Sequence, residues 1–191
     1  MQSKKENGIE SIQLHHANAC RLIDGVREIE AETTMLQVGS RAPIFELPDA
    51  SMEMIQLSSF RGKKNVVLYF YPRDGTPGCT LDAINFSDSD NAFAECDTVV
   101  FGVSRDDCLV HEEFRDKHGL SLQLLSDADC EVMKKYEVMT EDAVNGSSRA
   151  SVHRSTFVID KKGVVRHILH DLNPREHASA VLKLVRQIHG H

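Results

Sequence analysis

The chain has 191 residues, room for one ordinary domain and an extension. Its 22 lysines and arginines against 29 aspartates and glutamates leave a net charge of -7, which argues against the basic face a nucleic-acid partner requires and suits a small, neutral substrate. Five cysteines, an odd set without a CxxC pair, argue against a secreted disulfide framework or a zinc ribbon and fit thiols kept reduced in the cytoplasm.

The first residues, MQSKKENGIESI, carry two lysines without a following apolar run, and no stretch approaches the roughly 18 apolar residues of a membrane span. A soluble, cytoplasmic protein with no membrane partner is expected. Ile9, Ile12, Leu22, Ile23, Val26 and Ile29 fall mostly three or four apart, predicting an amphipathic helix in an N-terminal extension, residues 1–34. The character changes near Met35, where the main domain, 35–191, is expected to begin.

From there the apolar residues gather into compact runs: NVVLYFYP, TVVFGVS, LQLLSD, STFVID and VVRHIL. Runs of this length, rich in Val, Phe and Tyr, predict strands. Helical spacing separates the first three, from about Cys79 to Ala94 and from about Cys108 to His118, so βαβ crossovers and a parallel core are expected. DKKG joins the last two strands directly and predicts an antiparallel hairpin at the edge. The fold class is therefore α/β, a mixed central sheet with helices on both faces. Segment 139–152, MTEDAVNGSSRASV, is polar and without period and predicts a mobile loop. A last helix, about 174 to 189, aligns Ala178, Val181, Leu182, Val185 and Ile188 on one side, with Asn173 as its cap, and should pack on the sheet.

Chemistry concentrates in YFYPRDGTPGCTLDAINF, where a buried-type strand turns through Gly and Pro into Cys79 and a helix. A cysteine in the first helical turn faces backbone N–H groups without intrahelical acceptors and the positive end of the helix dipole, and both favour a thiolate. Thr76, three residues earlier, can bring its hydroxyl beside the sulfur and orient a hydroperoxide. The oxygen that leaves develops negative charge, which calls for fixed donors. Arg154, just ahead of STFVID, is a candidate for that task, although arginines before strands are usually surface residues. Pro72, rigid and without an N–H, is expected to wall off the pocket.

PRDGTPGC carries the pattern PxxxTxxC and resembles the active-site loop of the peroxiredoxins, in particular the peroxiredoxin Q group, also called bacterioferritin comigratory proteins. MLQVGSRAPIFELPD, VVFGVSRDD, LQLLSDAD and HRSTFVIDKKGVVRHI extend the resemblance in order over residues 35–191. It implies a thioredoxin-like fold, reduction of hydrogen peroxide and organic hydroperoxides, and Pro72, Thr76, Cys79 and Arg154 as the active-site set. Many members place a resolving cysteine five residues after the peroxidatic one; this chain has Ile84 there.

The sulfenic acid formed on Cys79 must meet a thiol before further oxidation. Cys96, 17 residues on, is out of disulfide reach if the intervening helix is continuous. Cys108 follows VSRDD at the strand edge expected to carry Cys79 and is the possible internal resolving residue, while Cys130 is less suited and Cys20 would act only from a partner chain. Otherwise an external thiol such as thioredoxin, glutaredoxin or a small thiol attacks directly. The blander readings are buried, inert thiols for Cys20, Cys96 and Cys130, a turn residue for Thr76 and helix capping for Asp106 and Asp107. His15 with His16, and His189 with His191, are read as solvated rather than metal-binding, no cofactor is expected, and the chain is expected to work as a monomer or homodimer. Competing functions are a thiol-disulfide oxidoreductase, disfavoured because Thr76 stands where CxxC needs a cysteine, and a redox-sensing module that passes oxidation from Cys79 to a partner.

Overall fold

The computed structural model describes residues 36–144 and 147–189. The expected N-terminal helix, the boundary at Met35, Cys20, His15, His16 and His191 lie outside the described residues. In chain order come β1 (Glu46–Pro48), β2 (Met54–Gln56), a 3-10 turn (Leu57–Phe60), β3 (Asn65–Phe70), α1 (Pro77–Asp88), α2 (Asp90–Ala94), β4 (Thr98–Ser104) and α3 (Cys108–His118). They are followed by β5 (Gln123–Ser126), α4 (Glu131–Lys135), β6 (Met139–Val144), β7 (Ser147–Val152), β8 (Ser155–Ile159), β9 (Val165–His170) and α5 (Pro174–His189).

The five predicted apolar runs form a single sheet in the order β5-β4-β3-β8-β9. β3 pairs parallel with β4, and β4 with β5, as the crossovers require. β8 runs antiparallel to both β3 and β9, so the sheet is mixed and the DKKG hairpin ends at the β9 edge. All six residues of β3 are buried, and they alternate between two cores. Val66, Leu68 and Phe70 join Phe101, Val103, Leu125, Met133 and Phe157 on one face. Val67, Tyr69 and the following Tyr71 join Phe86 of α1, Phe114 of α3 and Val181 and Val185 of α5 on the other. Asn173 accepts a hydrogen bond from the Arg175 N–H at 3.1 Å, capping α5 as its sequence predicts. None of the described helices is long and apolar enough to cross a membrane.

Two local expectations need correction. The helix expected from Cys79 to Ala94 breaks at Ser89, whose φ of -95° and ψ of 1° leave the helical region. The run Asp88-Ser89-Asp90 explains the break, because short polar side chains compete for backbone hydrogen bonds. Segment 139–152 is not a loop but an antiparallel hairpin, paired from Met139↔Val152 to Val144↔Ser147. β6 and β7 pair only with each other, and of the side chains described there only Met139 and Val152 at the base pack against the core. No alternating apolar pattern was therefore required of them. The dipeptide Asn145-Gly146 between them was the available signal, being a strong hairpin former.

Candidate active site

β3 ends at Phe70 and the chain turns through residues 71–76 into α1. Gly75 takes a φ of 73°, a conformation costly for a residue with a Cβ. Thr76 is the N-cap of α1 with extended backbone, and Pro77 occupies the first turn, where its missing N–H costs nothing. The Thr76 hydroxyl oxygen accepts the Cys79 N–H at 3.4 Å, tying hydroxyl and cysteine into one turn. Cys79, Asp82, Ala83 and Phe86 form the buried face of α1, and Cys79 is 1% exposed.

The sulfur has a cationic neighbour. Arg154, two residues past β7 and one before β8, donates from Nη2 to Cys79 Sγ at 3.0 Å and from Nη1 to Asp82 Oδ2 at 2.9 Å. A Cβ on Gly78 would stand 3.0 Å from Nη2, so glycine there lets the guanidinium reach the sulfur. The other Asp82 oxygen, Oδ1, lies 2.9 Å from His177 Nδ1 of α5, and His177 Nε2 lies 2.8 Å from the Thr156 hydroxyl on β8. Asp82, Arg154, Thr156 and His177 line a small cleft with Tyr69, Phe70, Tyr71 and Leu169. Burial, reinforced by Asp82, raises Tyr69 well above the usual phenol range, keeping it neutral beside these charges.

A second polar cluster holds the same turn. Asp74 accepts from the Tyr71 hydroxyl at 2.7 Å and pairs with His111 Nδ1 of α3 at 2.7 Å, while the Asp74 N–H donates to Asp106 Oδ2 at 2.7 Å. His111 is fully buried, and its Nε2 lies 3.3 Å from the Leu125 carbonyl. Asp107 caps α3 by accepting the Val110 N–H at 3.0 Å, whereas Asp106, also expected as a cap, instead braces the turn.

The four described cysteines are free. Cys96 shares a core with Cys79 but lies at the other end of β3, where Asn65 donates to its carbonyl at 3.2 Å. The six residues of β3 put these ends roughly 20 Å apart at about 3.3 Å per residue. That geometry keeps Cys96 out of reach despite the break at Ser89. Cys130 belongs to the core on the other face of the sheet. Cys108, partly exposed, starts α3 at the same sheet edge as Cys79, and α3 packs Phe114 into the core containing Cys79. Burial first, then the negative charges of Asp107 and Asp49, push the Cys108 thiol up from its ordinary value.

The structure thus brings Thr76, Cys79 and Arg154 together. Pro72 is exposed in the same turn, and of the four expected site residues only Arg154 lines the cleft. Asp82 and His177 were missed by the sequence reading. Each carried a signal, a polar side chain set in an otherwise apolar helical face, since Asp82 falls between Cys79 and Phe86 and His177 precedes Ala178 and Val181.

A cysteine at a strand-to-helix turn of this mixed sheet, with an arginine on its sulfur, defines a thiol enzyme on a thioredoxin-like fold. Residues 38–168 match the AhpC/TSA family. The putative peroxiredoxin bcp of Coxiella burnetii is 39% identical over 147 residues, 77% of this chain and 97% of that protein. The peroxiredoxin Bcp of Bacillus subtilis is 36% identical over 153 residues, 80% of this chain and 97% of its own. Among solved structures, the bacterioferritin comigratory protein of Xanthomonas campestris, described for its alkyl peroxide reduction activity, superposes with a TM-score of 0.73 at 28% identity, covering 76% of this chain and 92% of the other. The chain belongs to the AhpC/TSA family and is a peroxiredoxin of the Bcp/Q type, a thiol-dependent peroxidase. These likenesses favour a peroxidase over an oxidoreductase of the CxxC kind or a non-enzymatic relay.

Proposed function

We propose that Cys79 is the peroxidatic nucleophile for hydrogen peroxide and organic hydroperoxides. The observation that carries this reading is the 3.0 Å contact between Arg154 Nη2 and the Cys79 sulfur at the first turn of α1. The thiolate attacks the near peroxide oxygen, the O–O bond breaks, and the far oxygen leaves as alkoxide or hydroxide and takes a proton, giving sulfenic acid and an alcohol or water. Arg154 stabilises the developing charge without reorganising, because Asp82 already holds it. Thr76 orients the peroxide through its hydroxyl, and Pro72 shields the turn from its exposed side.

Cys108 supplies the resolving thiol: its sulfur attacks the Cys79 sulfenic acid, water leaves and a disulfide forms. Its position at the same sheet edge supports this, and the burial of Cys79 requires the first turn of α1 to open for the sulfurs to meet. A dithiol reductant such as thioredoxin or glutaredoxin then restores both thiols, a cycle suited to the reducing cytoplasm. Intact mass under denaturing, non-reducing conditions after one equivalent of hydrogen peroxide tests the scheme. Loss of two hydrogens with a Cys79–Cys108 link is expected. A gain of one oxygen on Cys79 would assign resolution to an external thiol, and an unchanged Cys79 would overturn the peroxidatic role.

A further inference from the structure

α5 turns an apolar stripe of Ala178, Val181 and Val185 toward the core, and His177 opens that stripe as a polar residue only 6% exposed. Its ring is held edge-on to Phe86 at 4.8 Å and to Tyr69 at 6.0 Å between ring centroids, so packing fixes its plane. A carboxylate only accepts, so the ring donates its Nδ1–H to Asp82 Oδ1 at 2.9 Å. The Thr156 hydroxyl occupies Nε2 at 2.8 Å.

The consequence reaches the sulfur. A carboxylate with both oxygens free takes a guanidinium bidentately, using two N–H groups at once. Here Asp82 meets Arg154 through Oδ2 and Nη1, its Oδ1 accepts from the fixed His177 ring, which sets how the carboxylate is turned, and Nη2 donates to Cys79. A Cβ at Gly78 would come within 3.0 Å of the same Nη2, so the guanidinium runs close over the first turn of α1 to reach the sulfur.

We propose that His177 is a positioning residue of the peroxidase: by holding the second oxygen of Asp82, it turns the carboxylate away from a bidentate Asp82–Arg154 pair and keeps a guanidinium N–H on the Cys79 sulfur. The inference rests on the reading of Cys79 as peroxidatic nucleophile. Without His177, the freed oxygen competes for Nη2 and draws the guanidinium away from the reacting atoms.

The test separates the peroxide step from the reductant step in the full-length protein, with hydrogen peroxide as substrate and thioredoxin as reductant. His177→Phe fills the space without a donor and is expected to lower kcat/KM for peroxide about tenfold or more, as misplacement of a reacting group does. His177→Asn keeps an N–H close to the Nδ1 position and should return the value to within about threefold of wild type, because the lost contact is restored. The kcat/KM for thioredoxin should change in neither variant. A His177→Phe variant as fast as wild type on peroxide, a His177→Asn variant as slow as His177→Phe, or an equal fall in both kcat/KM values would overturn the proposal. Should His177→Phe fail to fold, His177→Gln takes its place: its amide reaches the Nε2 position instead, so it should be slow where His177→Asn is fast, and equal rates for the two would refute the role. Cys79→Ser is run alongside. If that variant still consumes peroxide, the reading of Cys79 falls and this inference with it; if it is inert while His177→Phe keeps the wild-type rate, only the role of His177 falls.

Discussion

Cys79 and Cys108 occupy matching places in the fold. Each lies in the first turn of a helix that follows one of two adjacent parallel strands, at the same sheet edge. Their surroundings are opposite in sign. Cys79 is buried against the guanidinium of Arg154, whereas Cys108 is partly exposed beside Asp107, and burial and negative charge push its thiol up. A helix N-terminus therefore does not by itself fix the electrostatic setting of a thiol, since its effect is about a kcal/mol or less at exposed sites and one nearby charge can outweigh it. The long-range contact, 75 residues apart in sequence, distinguishes the two cysteines.

The largest effect should come from the sulfur itself. Cys79→Ser is expected to abolish peroxide turnover, a loss of at least about a thousandfold with no other group to form the covalent intermediate, whereas Cys108→Ser should leave the first oxidation of Cys79 unchanged in a single-turnover assay. Arg154→Ala comes next, with a fall of roughly a hundred- to a thousandfold in kcat/KM for peroxide, the usual cost of removing one donor from a developing oxyanion. Arg154→Lys should recover only part of that, since a single ammonium does not reproduce the fork that reaches Asp82 and Cys79 together.

Gly78→Ala offers a finer cut. A Cβ there meets Arg154 Nη2 at 3.0 Å, so the peroxide rate should drop several-fold, to about tenfold. Thermal stability should change little, because Gly78 is the second residue of α1, where the preference for alanine over glycine is smaller than the about 0.8–1 kcal/mol of a helix interior. A rate loss accompanied by a large drop in Tm would point to misfolding instead. The smallest effect concerns Cys108. Asp107→Asn keeps an N-capping side chain but removes a negative charge that raises the thiol. The midpoint of its alkylation by iodoacetamide against pH should therefore move down, with modification at neutral pH faster by a few-fold at most, as befits one exposed charge. An upward movement would contradict the electrostatic account.

Much of the fold was legible because burial on both faces forces the strands of a parallel core into continuous apolar runs, as in NVVLYF and TVVFGVS. The β6–β7 hairpin was not, because strands that pair only with each other need no apolar face, and their pairing leaves little trace in hydrophobicity. In the site, Thr76 and Cys79 could be read from spacing, since three residues bring an N-cap and its helix into contact. Asp82 shares that helix and lies one turn on, yet its importance depends on Arg154 and His177, which join it from 72 and 95 residues away.

The sequence by itself determined the order and type of the main elements, the turn that carries Thr76 and Cys79 and its resemblance to the peroxiredoxins, because these rest on local propensity and on short spacings within one segment. The tertiary structure decided which cysteines share an edge and a face, which polar residues are buried together and which oxygen of Asp82 remains for Arg154. Those depend on how distant segments meet across the sheet, and in a low-dielectric interior such meetings set the strength of every charge around the sulfur.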